Sequence, residues 1–132
     1  SRRYGERVRI QPAVAHDAVP AYLNAMDVLC APSQTTPQWR EQFGRMLIEA
    51  FACGVPVIAS DSGEIPHVVG DAGVIVPECD DAAWTRTIED VLADPGRRVE
   101  LSKRGRDRAA GVYAWPLVAR RHIDFFNELM RG

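Results

Sequence analysis

Three short apolar runs, separated by one sharp helical stripe and by turn signals, constrain the fold of this chain most. The runs are "VLCAPS" (28–33), "VPVIAS" (55–60) and "VIVP" (74–77). None alternates apolar with polar residues, so each reads as a strand covered on both faces. Between the first two, Phe43, Met46, Leu47, Ala50 and Phe51 recur at i, i+3, i+4, i+7 and i+8, the spacing of one helix face. Gly54 then stops the helix. Strand, helix and strand in this order imply a parallel sheet. The predicted class is α/β, a Rossmann-like parallel sheet with helices on both faces. In open sheets of this kind ligands bind outside the carboxyl ends of the strands. The loops after Ser33 and Ser60 are therefore where function is expected.

The rest of the chain fits around that unit. Its 132 residues predict a single domain, 1–132, with no linker, repeat or low-complexity stretch. "RVRIQ" (7–11) alternates like a short strand. "HDAVPAYLNAMD" (16–27) reads as a helix capped by Asp17, with Pro20 in its first turn. "QTTPQWRE" (34–41) is a polar loop, "DSGEIP" (61–66) is rich in turn residues, and "HVVGDAG" (67–73) is a helical turn and loop. Asp80 or Asp81 caps a helix carrying Trp84, Ile88, Val91 and Leu92 on one face, ended by "DPG" (94–96). Residues 97–112 read as a basic helix, and 116–131 as an amphipathic final helix with Pro116 in its first turn.

Composition narrows the function classes. A formal net charge of -2 provides no reason to expect nucleic-acid binding. No run reaches the roughly 18 apolar residues of a membrane span, and the opening residues do not read as a signal peptide. Cys30, Cys53 and Cys79 are widely spaced, as expected of reduced thiols in a cytoplasmic protein, two of them in the core. The chain opens on Ser1 rather than Met, as an excised piece or a processed chain would. D-x-D, G-x-G-x-x-G, G-x4-G-K-[ST] and G-x-S-x-G are all absent, and His16, His67 and His122 are too scattered for a zinc site.

The residues that draw attention are Glu41 and Glu49. Eight residues of helix rise about 12 Å and turn about 80° past two full turns. If the helix starts near Phe43, the two carboxylates cannot share one metal ion. They can hold two separate hydroxyl-bearing parts of one ligand. Between them the first amides of the helix, beside Gly44, face outward at the positive end of the dipole and suit a phosphate. A sugar, a diphosphate and a ribose in one molecule match that order. A plainer reading also fits. Glu49 is i+4 from Arg45, an exposed pair worth about 0.3–0.5 kcal/mol, and Glu41 then merely favours the helix start. Trp39 is open to two roles as well, stacking on a sugar or closing its loop over the core.

"PS" (32–33), "EQFGRMLIEAFACGVPVIASDSGEIPHVVGDAGVIVP" (41–77) and "YAW" (113–115) together resemble the C-terminal domain of GT-B glycosyltransferases, most closely the retaining enzymes of glycosyltransferase family 4. The centre of the resemblance is E-x7-E in the fuller string E-x-F-G-x4-E-A-x-A-x-G-x-P-V. It implies that Glu41 contacts donor-sugar hydroxyls at the catalytic centre and Glu49 the ribose hydroxyls. It implies too that the backbone amides of Phe43, Gly44, Arg45 and Met46 approach the sugar and diphosphate, with Arg9 to Ala13 beside the nucleobase. The donor is then a nucleotide diphosphate sugar, with no metal and no further cofactor, and the acceptor is a saccharide, lipid or small molecule.

The chain departs from the family pattern at several points. Pro12 stands where the family often has Gly, and His67 where it often has an acidic residue. The βαβ unit with an Arg and a Lys for the diphosphate has no match in residues 1–16, and no acceptor domain is present. The expectation is a transferase portion inactive by itself, whose final helix would cross to the absent domain. Two other classes stay open. One is a GT-B relative such as a nucleotide-sugar epimerase. The other is a non-catalytic binding or assembly module, for which "RRVELSKRGRDR" (97–108) could touch acidic lipid headgroups at a membrane surface; the plainer reading of that run is a solvated helix with Glu100 and Asp107 interspersed.

Overall fold

The computed structural model describes residues 4–131. Its sheet has three parallel strands in the order β1 (Leu29–Ala31), β2 (Val57–Ser60), β3 (Val74–Val76). Leu29 pairs with Val57 and Ala31 with Ala59, while Ile58 pairs with Val74 and Ser60 with Val76. Around the strands lie α1 (Val19–Asn24), α2 (Arg45–Cys53), α3 (Ile65–Val69), α4 (Asp81–Ala93), α5 (Pro95–Arg108) and α6 (Trp115–Arg131). A π-helical turn, Ala109–Tyr113, joins the last two.

Strands that advance in one direction with crossovers of one hand put their crossover helices on one face. Accordingly Leu47, Ala50 and Phe51 of α2 and Ile65, Val68 and Val69 of α3 pack with Leu29, Ala31, Val57 and Ala59. The opposite face carries Ile58 and Val76, covered by Val91 of α4 and Leu101 of α5. Helices on both faces and the parallel sheet are as expected. Phe51 and Leu47 are almost wholly buried, each worth about 1.5–3 kcal/mol of apolar transfer. α5 reaches both layers, because Gly105 lets its backbone lie against the Phe51 ring.

Local signals account for the element ends. Gly54 closes α2 in the left-handed region (φ 73°). The Oδ1 atoms of Asp80 and Asp94 accept the amides of Ala83 and Arg97, each at 2.9 Å, capping α4 and α5.

Five expectations are corrected. Residues 7–11 form no strand: a short 3-10 turn (Gly5–Arg7) is followed by irregular chain, and Ile10 is 83% exposed. An alternating run becomes a strand only when it pairs with a sheet edge, and residues 7–11 pair with none. Asp17 caps nothing. It lies in a 3-10 turn, His16–Ala18, and α1 begins after Ala18 without a side-chain cap. The β1 run is not buried on both faces. Cys30 points to the α4 side, but α4 covers only β2 and β3, so Cys30 is exposed. Cys79 is exposed too, and Cys53 half-buried, so no thiol lies in the core. Lastly, Met46 and Leu92 are exposed; Ile48, half-buried, completes the α2 core face instead.

The basic run is a structural helix. Arg98 donates to the carbonyls of Val91 and Leu92 at the end of α4. Arg108 donates through Nε to Val68 O and through Nη2 to His67 O, both at 2.7 Å, closing α3. Lys103 pairs with Asp107, and Arg104 with Glu100. These cations serve helix ends and neighbouring carboxylates. Among the described residues no helix is long and apolar enough to cross a membrane. α6 buries no residue, and Ile123, Phe126 and Met130 along it are 60%, 60% and 87% exposed.

Candidate functional site

The segment between β1 and α2 is tied down along its length. The Ser60 hydroxyl, at the end of β2, donates to Ser33 O at 2.6 Å. Thr36 and Trp39 then exchange backbone hydrogen bonds of 2.8 and 3.3 Å, closing a tight turn. The Trp39 ring is 51% exposed, so it does not close the loop over the core. The Glu41 carbonyl accepts the Glu64 amide at 3.1 Å. Gly63 makes that approach possible, since a Cβ there would lie 2.0 Å from Glu41 O.

Glu41 and the helix start form one unit. Glu41 Oε1 accepts the amides of Gln42, Phe43 and Gly44 at 3.1, 3.3 and 3.0 Å. A carboxylate suits this place, where outward amides meet the positive end of the helix. The helix expected to start near Phe43 starts at Arg45, with Gly44 as its cap residue. The amides of Phe43 and Gly44 therefore go to the chain's own carboxylate. Those of Arg45 and Met46, in the first turn, have no carbonyl one helical turn earlier to donate to. Gly44 takes left-handed backbone (φ 71°), which favours glycine, and a Cβ there would also sit 2.7 Å from Leu47 Cδ1.

Glu49 lies one turn into α2. Its Oε1 accepts Arg45 Nε at 3.0 Å, and the two side chains are 30% and 73% exposed. Such an open pair is weak and readily exchanges for a ligand hydroxyl or phosphate. Glu49 lines a cleft of about 560 Å3 between α1, α2 and residues 113–118. The floor is apolar, with Leu23, Ile48, Ala52 and Val118; Phe43, Tyr113 and Trp115 add aromatic rings. Phe43 meets Tyr113 edge to face at 5.9 Å, and the Tyr113 hydroxyl donates to Val68 O at 3.2 Å. The polar rim is His16, Arg45 and Glu49, with His16 Nε2 3.5 Å from Arg45 Nη2. An apolar cleft with a few converging polar groups suits a ligand that has a flat ring and hydroxyls.

Of the six expected site residues, Phe43, Arg45 and Glu49 line this cleft. Glu41 and Gly44 lie just beyond its Phe43 wall, and the Met46 side chain faces solvent. His16 and Trp115 were not singled out as site residues. No local spacing marks His16, which lies 29 residues before Arg45. Trp115 and Tyr113 were visible only within "YAW". Among the described residues, no three His, Cys, Asp or Glu side chains cluster to hold a metal ion.

Comparison with known proteins agrees with this architecture. Residues 1–108 match the family described as glycosyl transferases group 1. D-inositol 3-phosphate glycosyltransferase of Salinispora tropica is 36% identical over 125 residues, covering 93% of this chain and 25% of that protein. The enzyme of the same name from Streptomyces bingchenggensis is 35% identical over 127 residues, covering 95% and 27%. Among solved structures, sucrose-phosphate synthase from Thermosynechococcus elongatus superposes with a TM-score of 0.83 at 32% identity, over 98% of this chain and 32% of that one. The chain thus spans about a quarter of the length of the curated relatives it matches. With more than half of its residues inside the family match, this chain belongs to the glycosyl transferases group 1 family.

Proposed function

We propose that this chain is the nucleotide-diphosphate-sugar-binding portion of a retaining GT-B glycosyltransferase that transfers a hexose. The observation that carries the reading is Glu49: a half-buried carboxylate on the rim of an apolar, aromatic-walled cleft, one turn from the amides that open α2. On this reading Glu49 exchanges Arg45 for the ribose hydroxyls. Freed, Arg45 turns its guanidinium to the diphosphate, beside the amides of Arg45 and Met46. Glu41 keeps Oε1 on the amides of residues 42–44, which orients the carboxylate and leaves Oε2 for a hydroxyl of the donor sugar. As the bond between the anomeric carbon and the diphosphate breaks, charge builds on the leaving oxygen. The positive end of α2 stabilises it.

The remaining counter-charge and the acceptor site belong to parts of a polypeptide as long as the relatives. The relatives' names include D-inositol 3-phosphate, and a small phosphorylated polyol is the acceptor class we favour. The test is titration of the chain with UDP, GDP and ADP and with their sugar esters, followed by NMR. We expect weak binding that Glu49→Ala lowers about tenfold, the size of one hydrogen bond to a charged group, and negligible sugar transfer. Binding indifferent to Glu49→Ala refutes the ribose assignment, and appreciable turnover by the chain alone refutes the inactivity.

A further inference from the structure

The loops that leave the carboxyl ends of all three strands are joined through one carboxylate outside the cleft. Glu78 follows β3. Its Oε1 accepts the Thr35 hydroxyl at 2.6 Å and its Oε2 the Thr35 amide at 2.5 Å. The same hydroxyl lies 3.0 Å from Oγ of Ser62, a buried side chain after β2. The Glu78 amide donates to Asp61 Oδ1 at 2.7 Å. Thr35 comes after β1, 43 residues before Glu78.

The consequence lies in what Thr35 leads into. Thr36–Trp39 closes on itself, and two residues later Glu41 is held by the Glu64 amide. The segment is thus anchored at both ends, by Glu78 at Thr35 and by Glu64 at Glu41. Between the anchors it presents a half-exposed indole and runs directly into the Glu41 carboxylate. An exposed aromatic face and, two residues on, a carboxylate are the groups that receive a sugar ring, the one by stacking on its apolar side and the other by accepting from its hydroxyls.

We propose that Glu78 is a positioning residue for the sugar end of the donor: by gripping Thr35 through both hydroxyl and amide, it holds residues 35–41 so that Trp39 and Glu41 meet the donor sugar. This rests on the donor reading given under Proposed function. Glu78 touches no ligand itself. Its loss loosens one anchor, so the sugar must order the segment on binding, while a nucleoside diphosphate gripped along α2 is spared.

The experiment measures the affinities of the full chain for the tightest-binding of UDP, GDP and ADP and for its glucose ester. Glu78→Ala is expected to weaken the sugar ester roughly tenfold and the diphosphate less than twofold. Glu78→Gln, which keeps one acceptor for Thr35, falls between. Thr35→Val, which removes the hydroxyl from the other side, shifts the ratio in the same direction and serves if Glu78→Ala does not fold. A Thr35 amide proton that exchanges faster in Glu78→Ala confirms that the grip exists in solution. If both probes bind wild type and their ratio is unchanged in these variants, the positioning role is overturned and the donor reading stands. If wild type binds neither probe, the donor reading fails, and the role of Glu78 with it.

Discussion

Gly63→Ala offers the sharpest test of how the site is held. Gly63 has φ 55°, and its added Cβ would lie 2.0 Å from Glu41 O, 2.8 Å from Arg40 Cγ and 3.0 Å from Glu41 C. The left-handed backbone alone costs an alanine about 1–2 kcal/mol. Forcing a methyl into a packed place costs about 1–3 kcal/mol. The methyl meets a carbonyl rather than the far end of a flexible side chain, so relief requires moving Glu41. That breaks the hydrogen bond from Glu64, worth about 0.5–1.5 kcal/mol net. Combined, these predict a loss of about 3–6 kcal/mol, a large share of the roughly 5–15 kcal/mol that holds a domain together. Urea denaturation followed by circular dichroism measures it, with Gly111→Ala as the control. No atom lies within 4 Å of a Cβ at Gly111, so that variant should stay within about 1 kcal/mol of wild type, on the stabilising side. If Gly63→Ala also unfolds within about 1 kcal/mol of wild type, the close approach of the two loops is wrong.

Further expectations concern the supports of the fold. Asp80→Ala and Asp94→Ala each remove a helix cap and should cost about 1 kcal/mol in the same denaturation assay. Arg108→Ala removes the side-chain donor to His67 O and leaves Val68 O with the Tyr113 hydroxyl alone, and should cost about 1.5–3 kcal/mol. Phe125→Lys with Phe126→Lys changes only exposed rings of α6. Each change should leave stability within about 0.5 kcal/mol, while binding of a hydrophobic dye falls. The Thr35 hydroxyl, and then the Thr35 amide, hold the Glu78 carboxyl below its usual range. A depressed carboxylate stabilises the fold above its unfolded pKa and loses that contribution as pH falls through the folded one. The Thr35 amide resonance should therefore shift at a pH below the usual glutamate range. Asp61, bonded to the Glu78 amide, is the neighbouring group to control for by Asp61→Asn.

The relation between the basic run and membranes illustrates how far pattern alone carries. "RRVELSKRGRDR" allowed either a lipid-facing surface or a solvated helix. The structure directs Arg98 and Arg108 to the carbonyls that end α4 and α3. Helix termini leave several carbonyls without internal partners, so long cations from a neighbouring helix are useful there. Which carbonyls they reach depends on how α5 lies across α2 and α4.

Taken by itself, the amino-acid order determined what short-range physics controls. The apolar spacing of 43–51, the stop at Gly54, the uninterrupted runs of β2 and β3 and a cap at Asp80 or Asp81 each depend on residues a few positions apart. Their combination implied the parallel α/β class, and the extended string around Glu41 and Glu49 carried the resemblance to glycosyltransferases, of which the group 1 family is shown. Tertiary structure decided everything that depends on which element lies beside which. It left residues 7–11 without a strand partner and Cys30 uncovered, because a buried pattern does not say how far the covering helix extends. It brought His16 and Trp115 to the rim of Glu49's cleft, turned Glu41 onto the amides expected to receive a ligand, and joined Thr35 to Glu78. These are meetings of side chains 29 or more residues apart in the chain, or at a helix start, set by the stacking of crossovers on the sheet, and no local period encodes them.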